Sequence, residues 1–179
     1  MPEKTAIAIR RGVPDDAAEL ARFAARTFEE TFAYSTAPSN MSAFLAQTYS
    51  EAQQRAELED PGTTTLIAEA DGRIIGYAQV RWAEAPECVS GEDVVELRRF
   101  YVDRPFHGRG VAGPLMEAAE GAARALGGRR LWLGVFQHNE RAIAFYTRRG
   151  FARAGEQVFR LGEDEQSDFI MAKDLARVD

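Results

Sequence analysis

The sequence predicts a single mixed α/β (α+β) domain, and three observations carry that expectation. Strand-like and helix-like hydrophobic patterns follow one another in the order β, α, α, a run of strands, α, β, α, β, β. An Asp71-Gly72 pair joins two β-rich runs, and a glycine-rich turn at 107–113 separates a strand pattern from a helix pattern. At 179 residues the chain (1–179) has the length of one domain with a sizeable core, and no repeat, low-complexity tract or linker divides it.

Residues 6–10 (AIAIR) alternate in hydrophobicity and predict a short strand. Pro14, Asp15 and Asp16 then open a helix: proline costs nothing in a first turn, and carboxylates face the positive end of the dipole. Leu20, Phe23, Ala24, Thr27 and Phe28 form its buried stripe, Phe32 extends it, and Pro38 marks its limit. One further helical stretch spans 40–58, bounded by Pro61 and Gly62. The runs 63–70 and 73–82 read as a hairpin, because Asp-Gly tolerates the positive φ of a type I′ turn. Residues 83–93 read as a loop and 94–102 (VVELRRFYV) as a strand. After the glycine turn a helix runs to about 126, with Leu115, Ala119, Ala122 and Leu126 on one face. Residues 131–136 form a short apolar strand of the kind covered on both faces. A compact helix over 139–149 closes on Gly150 at C′. Strands at 151–161 and 169–175 flank an acidic loop, 162–168.

Composition narrows the function classes. With 28 Asp and Glu against 22 Lys and Arg, the net charge is −6, which argues against nucleic-acid and anionic-membrane partners. One cysteine, Cys88, rules out an internal disulfide and a thiolate zinc cluster, and with only two histidines no metal is expected. Residues 1–10 lack the apolar run of a signal peptide, and no window reaches the roughly 18 apolar residues of a membrane span. The expectation is a cytoplasmic protein.

The segment 108–113 (GRGVAG) fits G-x-G-x-x-G, with Pro114 fixing the helix start inside the glycine run. Glycines let a ligand approach the backbone, and the unpaired N–H groups of a helix start bind anions. The same glycines also suit a simple packing turn. A dinucleotide fold would need a carboxylate at the end of the next strand, but that strand ends Val135-Phe136-Gln137-His138-Asn139. The turn also lies past the midpoint of the chain, so the dinucleotide reading fails.

A second template fits better. His107-Gly108-Arg109-Gly110-Val111-Ala112 resembles the Q/R-x-x-G-x-G/A signature of the GNAT superfamily of acetyl-CoA-dependent N-acetyltransferases, with His107 in place of Gln or Arg. Leu97 to Val102 resembles the strand before that turn, and 139–151 (NERAIAFYTRRGF) resembles the N-x-x-A-x-x-F-Y-x-x-x-G-F block. The order of elements is similar as well. The resemblance implies a central mixed, mostly antiparallel sheet flanked by helices, with acetyl-CoA as co-substrate.

It also implies residue roles. The pyrophosphate of CoA would lie on His107, Gly108, Arg109, Gly110, Val111 and Ala112, and the pantetheine arm along the backbone of Phe100, Tyr101 and Val102. Asn139, Ala142, Phe145 and Arg148 would complete the cofactor side; Asn139 equally suits an N-cap, and Arg148 a solvated helix end. Only about one alkylamine molecule in a thousand is neutral at pH 7, so attack on a thioester requires a proton acceptor. Glu96 stands where several relatives place that base, and Tyr146 matches the tyrosine that protonates the leaving thiolate. An outward strand carboxylate and a core aromatic are the bland alternatives. Phe28, Phe32 and Trp82 with nearby acids would suit a small-molecule cationic amine, as in the polyamine-acetylating branch. A homodimer is compatible with the sequence. A silent acyl-CoA-binding module would keep the turn but need neither Glu96 nor Tyr146.

Overall fold

In a computed structural model, residues 6–177 are described; 1–5, part of the segment searched for a leader, and 178–179 lie outside the described residues. Seven strands form one sheet in the order β1-β2-β3-β4-β5-β7-β6: β1 Ile7–Arg11, β2 Thr63–Ala70, β3 Arg73–Trp82, β4 Val94–Val102, β5 Arg130–Phe136, β6 Ala152–Leu161 and β7 Asp164–Asp174. Every neighbouring pair is antiparallel except β4 and β5. The expected mixed, mostly antiparallel sheet is thus present. Among the described residues no helix is long and apolar enough to cross a membrane.

Five helices cover the two faces: α1 Ala17–Phe32, α2 Pro38–Thr48, α3 Glu51–Glu59, α4 Ala112–Ala125 and α5 Glu140–Arg148. On one face Leu115, Met116 and Ala119 of α4 and Tyr146 of α5 pack on Val80, Val95, Leu97 and Leu133. On the other, Leu20, Phe23 and Phe28 of α1 pack with Met41, Tyr49, Ile67 and Tyr77. The strand period of two sends alternate residues of each strand to these two cores.

Two elements differ from the sequence expectation. The stretch 40–58 is two helices, because Ser50 adopts extended φ/ψ and its side chain accepts a hydrogen bond from Gln53 N at 3.2 Å. A serine three residues before a glutamine is a helix-start signal, here hidden inside a continuous helical pattern. The acidic loop is the second difference. Only Gly162 (φ +64°) and Glu163 turn, and β7 begins at Asp164. Asp164 accepts from Ala37 N at 2.8 Å and Asn40 Nδ2 at 3.0 Å at the start of α2, while Glu165 pairs with Arg160 across the hairpin at 2.9 Å. These acids tie β7 to its neighbours rather than forming a loop.

Phe28 is 3% exposed, with ring centroids 4.6 Å from Phe32, 4.8 Å from Phe44 and 5.5 Å from Tyr49. It holds α1 to α2 instead of facing a ligand. Phe28→Ala is expected to cost about 3–5 kcal/mol of stability, read from urea unfolding, through lost burial and the cavity left behind.

Candidate active site

The site arises where β4 and β5 part. Their parallel pairing covers only Val94–Glu96 against Arg130–Trp132. Beyond it, Gln79 pairs with Arg99 and Val80 with Leu97, so Arg98 is an extra residue that bends β4 away from its neighbour. The split opens a cleft of about 880 Å³ from the end of α1, past β4 and β5, to the starts of α4 and α5. The β4 edge from Leu97 to Val102 and the β5 edge from Leu133 to Phe136 line it without pairing to each other. Those backbone groups are open to an extended ligand lying between them as an added strand.

At one end Gly108 and Gly110 take φ of +73° and +78°. Neither position has an atom within 4 Å of where a Cβ would stand. That open space, beside the first-turn amides of α4, is a cradle for an anion. Gly108, Gly110, Val111 and Ala112 line the cleft, and Arg104, Arg141 and Arg148 bring positive charge to it. Arg109 is exposed and lies over the Phe106 ring at 6.0 Å, away from the wall that the sequence assigned it.

His107 is committed on both ring nitrogens. Nε2 donates to the Val102 carbonyl at 2.6 Å, and Nδ1 accepts from the Arg141 guanidinium. Burial lowers its pKa, with the nearby Arg141 and Arg104 acting in the same direction, so the ring is neutral at pH 7. It therefore orients Arg141 instead of presenting its own N–H to a phosphate. Arg141 carried no signal in the turn motif; only the fold brings α5 to it. His107→Ala is expected to raise the KM for acetyl-CoA roughly fivefold with kcat little changed, the worth of about one hydrogen bond.

Asn139 accepts from Ala142 N at 3.2 Å as the N-cap of α5, and it also lines the cleft with Ala142 and Phe145. Phe145 stacks on Phe100 at 5.5 Å, and Tyr146 meets the Phe100 edge at 6.2 Å. Tyr146 is buried on the cleft wall, and burial alone pushes its phenol well above the usual value. It remains a proton donor throughout the physiological range.

The comparisons match this geometry. A family model for the acetyltransferase (GNAT) family matches residues 24–151. The chain belongs to the GNAT family. A Mycobacterium bovis protein described as an uncharacterized N-acetyltransferase is 38% identical over 161 residues, covering 89% of this chain and 98% of that one. An uncharacterized N-acetyltransferase of Lactobacillus delbrueckii is 35% identical over 160 residues, covering 89% and 92%. The PaiA N-acetyltransferase of Thermoplasma acidophilum, solved with coenzyme A, superposes with a TM-score of 0.74 at 22% identity, covering 94% of this chain and 99% of that one; this shows the shared fold. The protein is an acetyl-CoA-dependent N-acetyltransferase of the GNAT type.

The acceptor side of this GNAT domain holds some of the expected residues and not others. Phe32, Tyr34 and Glu30 of the α1 end line the cleft, whereas Phe28 lies behind them in the core. Trp82 sits at the far end of β3, 44% exposed, in a separate shallow hollow with Arg81 and Gln53. Glu96 does not reach the cleft wall: its Oε2 accepts from Arg81 Nε at 2.6 Å beside the paired part of β4. Arg81 stands directly opposite Glu96 across the β3–β4 ladder, and this cross-strand pair, which no local pattern reports, holds the carboxylate.

Arg98 and Arg99 line the cleft in addition. Glu57 of α3 accepts from Arg98 Nη1 at 3.0 Å and from Arg99 Nη1 at 2.6 Å, and Gln79 Nε2 donates to it at 3.0 Å. Burial raises the Glu57 pKa, but Arg99 and hydrogen bonds from Gln53 and Gln79 outweigh it and hold the carboxyl below its usual range. The Arg99 guanidinium lies 4.8 Å from the Tyr49 ring centre. This network, invisible in the sequence, fixes the bulge that makes the cleft.

Proposed function

We propose that the chain transfers the acetyl group of acetyl-CoA to a small-molecule primary amine by direct attack within a ternary complex. The observation that carries this reading is the cleft itself. It joins an anion cradle at α4 to a second mouth walled by Phe32 and Tyr34, with Tyr146 on the wall between. Among the described residues no cysteine or serine lines the cleft, and the Thr27 and Thr31 hydroxyls donate to the carbonyls of Phe23 and Thr27. These features support direct transfer over an acetylated enzyme.

Bound acetyl-CoA supplies an activated acyl thioester. The chain's own residues do the rest. Main-chain groups of Phe100, Tyr101 and Val102 align the arm, the glycine turn with Arg104, Arg141 and Arg148 holds the phosphates, and Tyr146 donates to the departing sulfur. Glu30 at the mouth supports an acceptor with a cationic tail, of which polyamines are one kind. Thiol release measured with spermidine, butylamine, phenethylamine and an amino-acid amide tests the reading. Transfer to at least one supports it; none contradicts it. Spermidine performing no better than butylamine removes the polyamine reading while leaving the amine class in place.

A further inference from the structure

The acceptor face of β5 has a gap. Trp132, Gly134 and Phe136 share that face by strand alternation, yet Gly134 is exposed in the middle of an internal strand. Two polar side chains lean over it. A Cβ on Gly134 would meet Gln157 Nε2 of β6 at 2.6 Å and Asp168 Oδ2 of β7 at 3.4 Å. The sheet register sets this up, since Asp168 stands opposite both Phe136 of β5 and Gln157 of β6. The Gln157 amide adjoins the Asp168 carboxylate, which is otherwise buried. Gly134 and Phe136 line the cleft, and the Phe136 ring centre is 5.9 Å from that of Phe32. Glycine at 134 therefore leaves room at the cleft wall, and a group placed there would stand about 3.4 Å from the buried Asp168 carboxylate.

The same carboxylate shares an electrostatic neighbour, Tyr101, with the proton donor. Burial pushes the Tyr101 phenol far up, and Tyr49, Tyr146 and Asp168 all add to that from nearby. Tyr101 on β4 is thus within electrostatic reach of Asp168 on one side and Tyr146 on the other. Resting on the N-acetyltransfer reading above, we propose that Asp168 receives the acceptor's amino group and takes its proton. An acceptor arriving as ammonium loses one proton to Asp168, which passes it to solvent. The neutral nitrogen then forms its bond to the acetyl carbon as the carbon–sulfur bond breaks. The nitrogen's second proton goes to Asp168, the sulfur takes a proton from Tyr146, and exchange with solvent removes the proton from Asp168 and returns one to the tyrosine. The sum is one amide, one thiol and one proton released.

Burial raises the Asp168 pKa to about 6, the hydrogen bond from Gln157 holding it lower than burial alone would. A base poised there is ionised at pH 7 and still accepts a proton readily. Its register partners, Gln157 on β6 and Phe136 on β5, are neutral at that pH, as is Tyr101, whose phenol burial pushes up. Activity should therefore fall as pH drops through about 6, as the carboxylate becomes protonated.

The test uses the full chain with acetyl-CoA and two nucleophiles: butylamine, almost wholly ammonium at pH 7, and hydroxylamine, largely neutral. Asp168→Asn is expected to lower kcat/KM for butylamine about 100-fold or more, and for hydroxylamine less than about tenfold, with CoA affinity within about twofold of wild type. Gly134→Ala, which pushes Gln157 and crowds Asp168 without removing any charge, should show the same order of losses at smaller size. CoA titration and thermal unfolding of both variants establish that they fold. Asp168→Asn retaining butylamine transfer within about threefold, or losing both nucleophiles equally, overturns the proposal while leaving N-acetyltransfer intact. A wild type that acetylates neither nucleophile nor any amine of the panel overturns the functional reading and this one with it.

Discussion

Replacing Tyr146 with phenylalanine is expected to lower kcat about 10²–10⁴-fold, the usual worth of a positioned proton donor, while CoA binds as tightly as before. The ring is the part of Tyr146 that packs: its edge meets Phe100 at 6.2 Å and Phe151 at 5.7 Å, and phenylalanine retains both contacts. Only the hydroxyl is lost, from a residue that lines the cleft and whose phenol pKa is raised by burial. A phenol that never ionises near neutral pH is always ready to donate. Stopped-flow or thiol-release assays at saturating acetyl-CoA give kcat, and calorimetric titration of CoA gives affinity. A variant that loses CoA affinity in step with its rate would assign Tyr146 to packing alone.

The second large effect concerns the glycine turn. Gly110→Val is expected to weaken CoA binding about 100-fold, with Gly110→Ala intermediate. Gly110 holds φ +78°, a region that costs a β-branched residue about 1–3 kcal/mol. Among the described residues no atom beyond the chain neighbours stands within 4 Å of where its Cβ would be, so the new side chain enters open space. What it occupies is the space into which the turn and the first α4 amides point. Calorimetric titration with CoA and with its dephosphorylated pantetheine fragment separates the two effects. Loss for CoA without loss for the fragment locates the damage at the phosphates; equal loss for both contradicts the anion cradle.

The sequence made the fold legible wherever local chemistry and long-range packing agree. Asp71 and Gly72 both have positive φ, as a hairpin of that type requires, and Pro14 and Gly150 bound their helices as read. It failed where a local pattern is interrupted by one side chain, as at Ser50, or where charge masks a strand, as in Asp164–Asp174. The cofactor half of the site was readable because backbone conformation creates it, and glycine, proline and helix starts leave marks in the sequence. The acceptor half was not. Its key placements are products of sheet register: Arg98 as the bulge residue, Glu96 turned toward Arg81, and Asp168 set opposite Phe136. A strand residue's face changes with a single-residue shift of pairing, and no local pattern reports the pairing partner.

The net charge of −6 also takes on a more specific meaning. Among the described residues Glu30, at the acceptor mouth, is the one acid lining the cleft, while Arg104, Arg141 and Arg148 line its other end. With these arginines holding the phosphates as proposed, raised salt should weaken CoA binding as their local field is screened.

The most direct test of acetyl transfer in a ternary complex follows the acetyl group itself. Wild-type protein is mixed with isotopically labelled acetyl-CoA, first alone and then with the best amine of the panel, and intact protein and small molecules are weighed by mass spectrometry. The predicted result is unlabelled protein at every time and a labelled N-acetyl amine that forms only when both substrates are present. Labelled protein that passes its acetyl group to a later-added amine, or bound acetyl-CoA that never transfers its label to any amine, would contradict it.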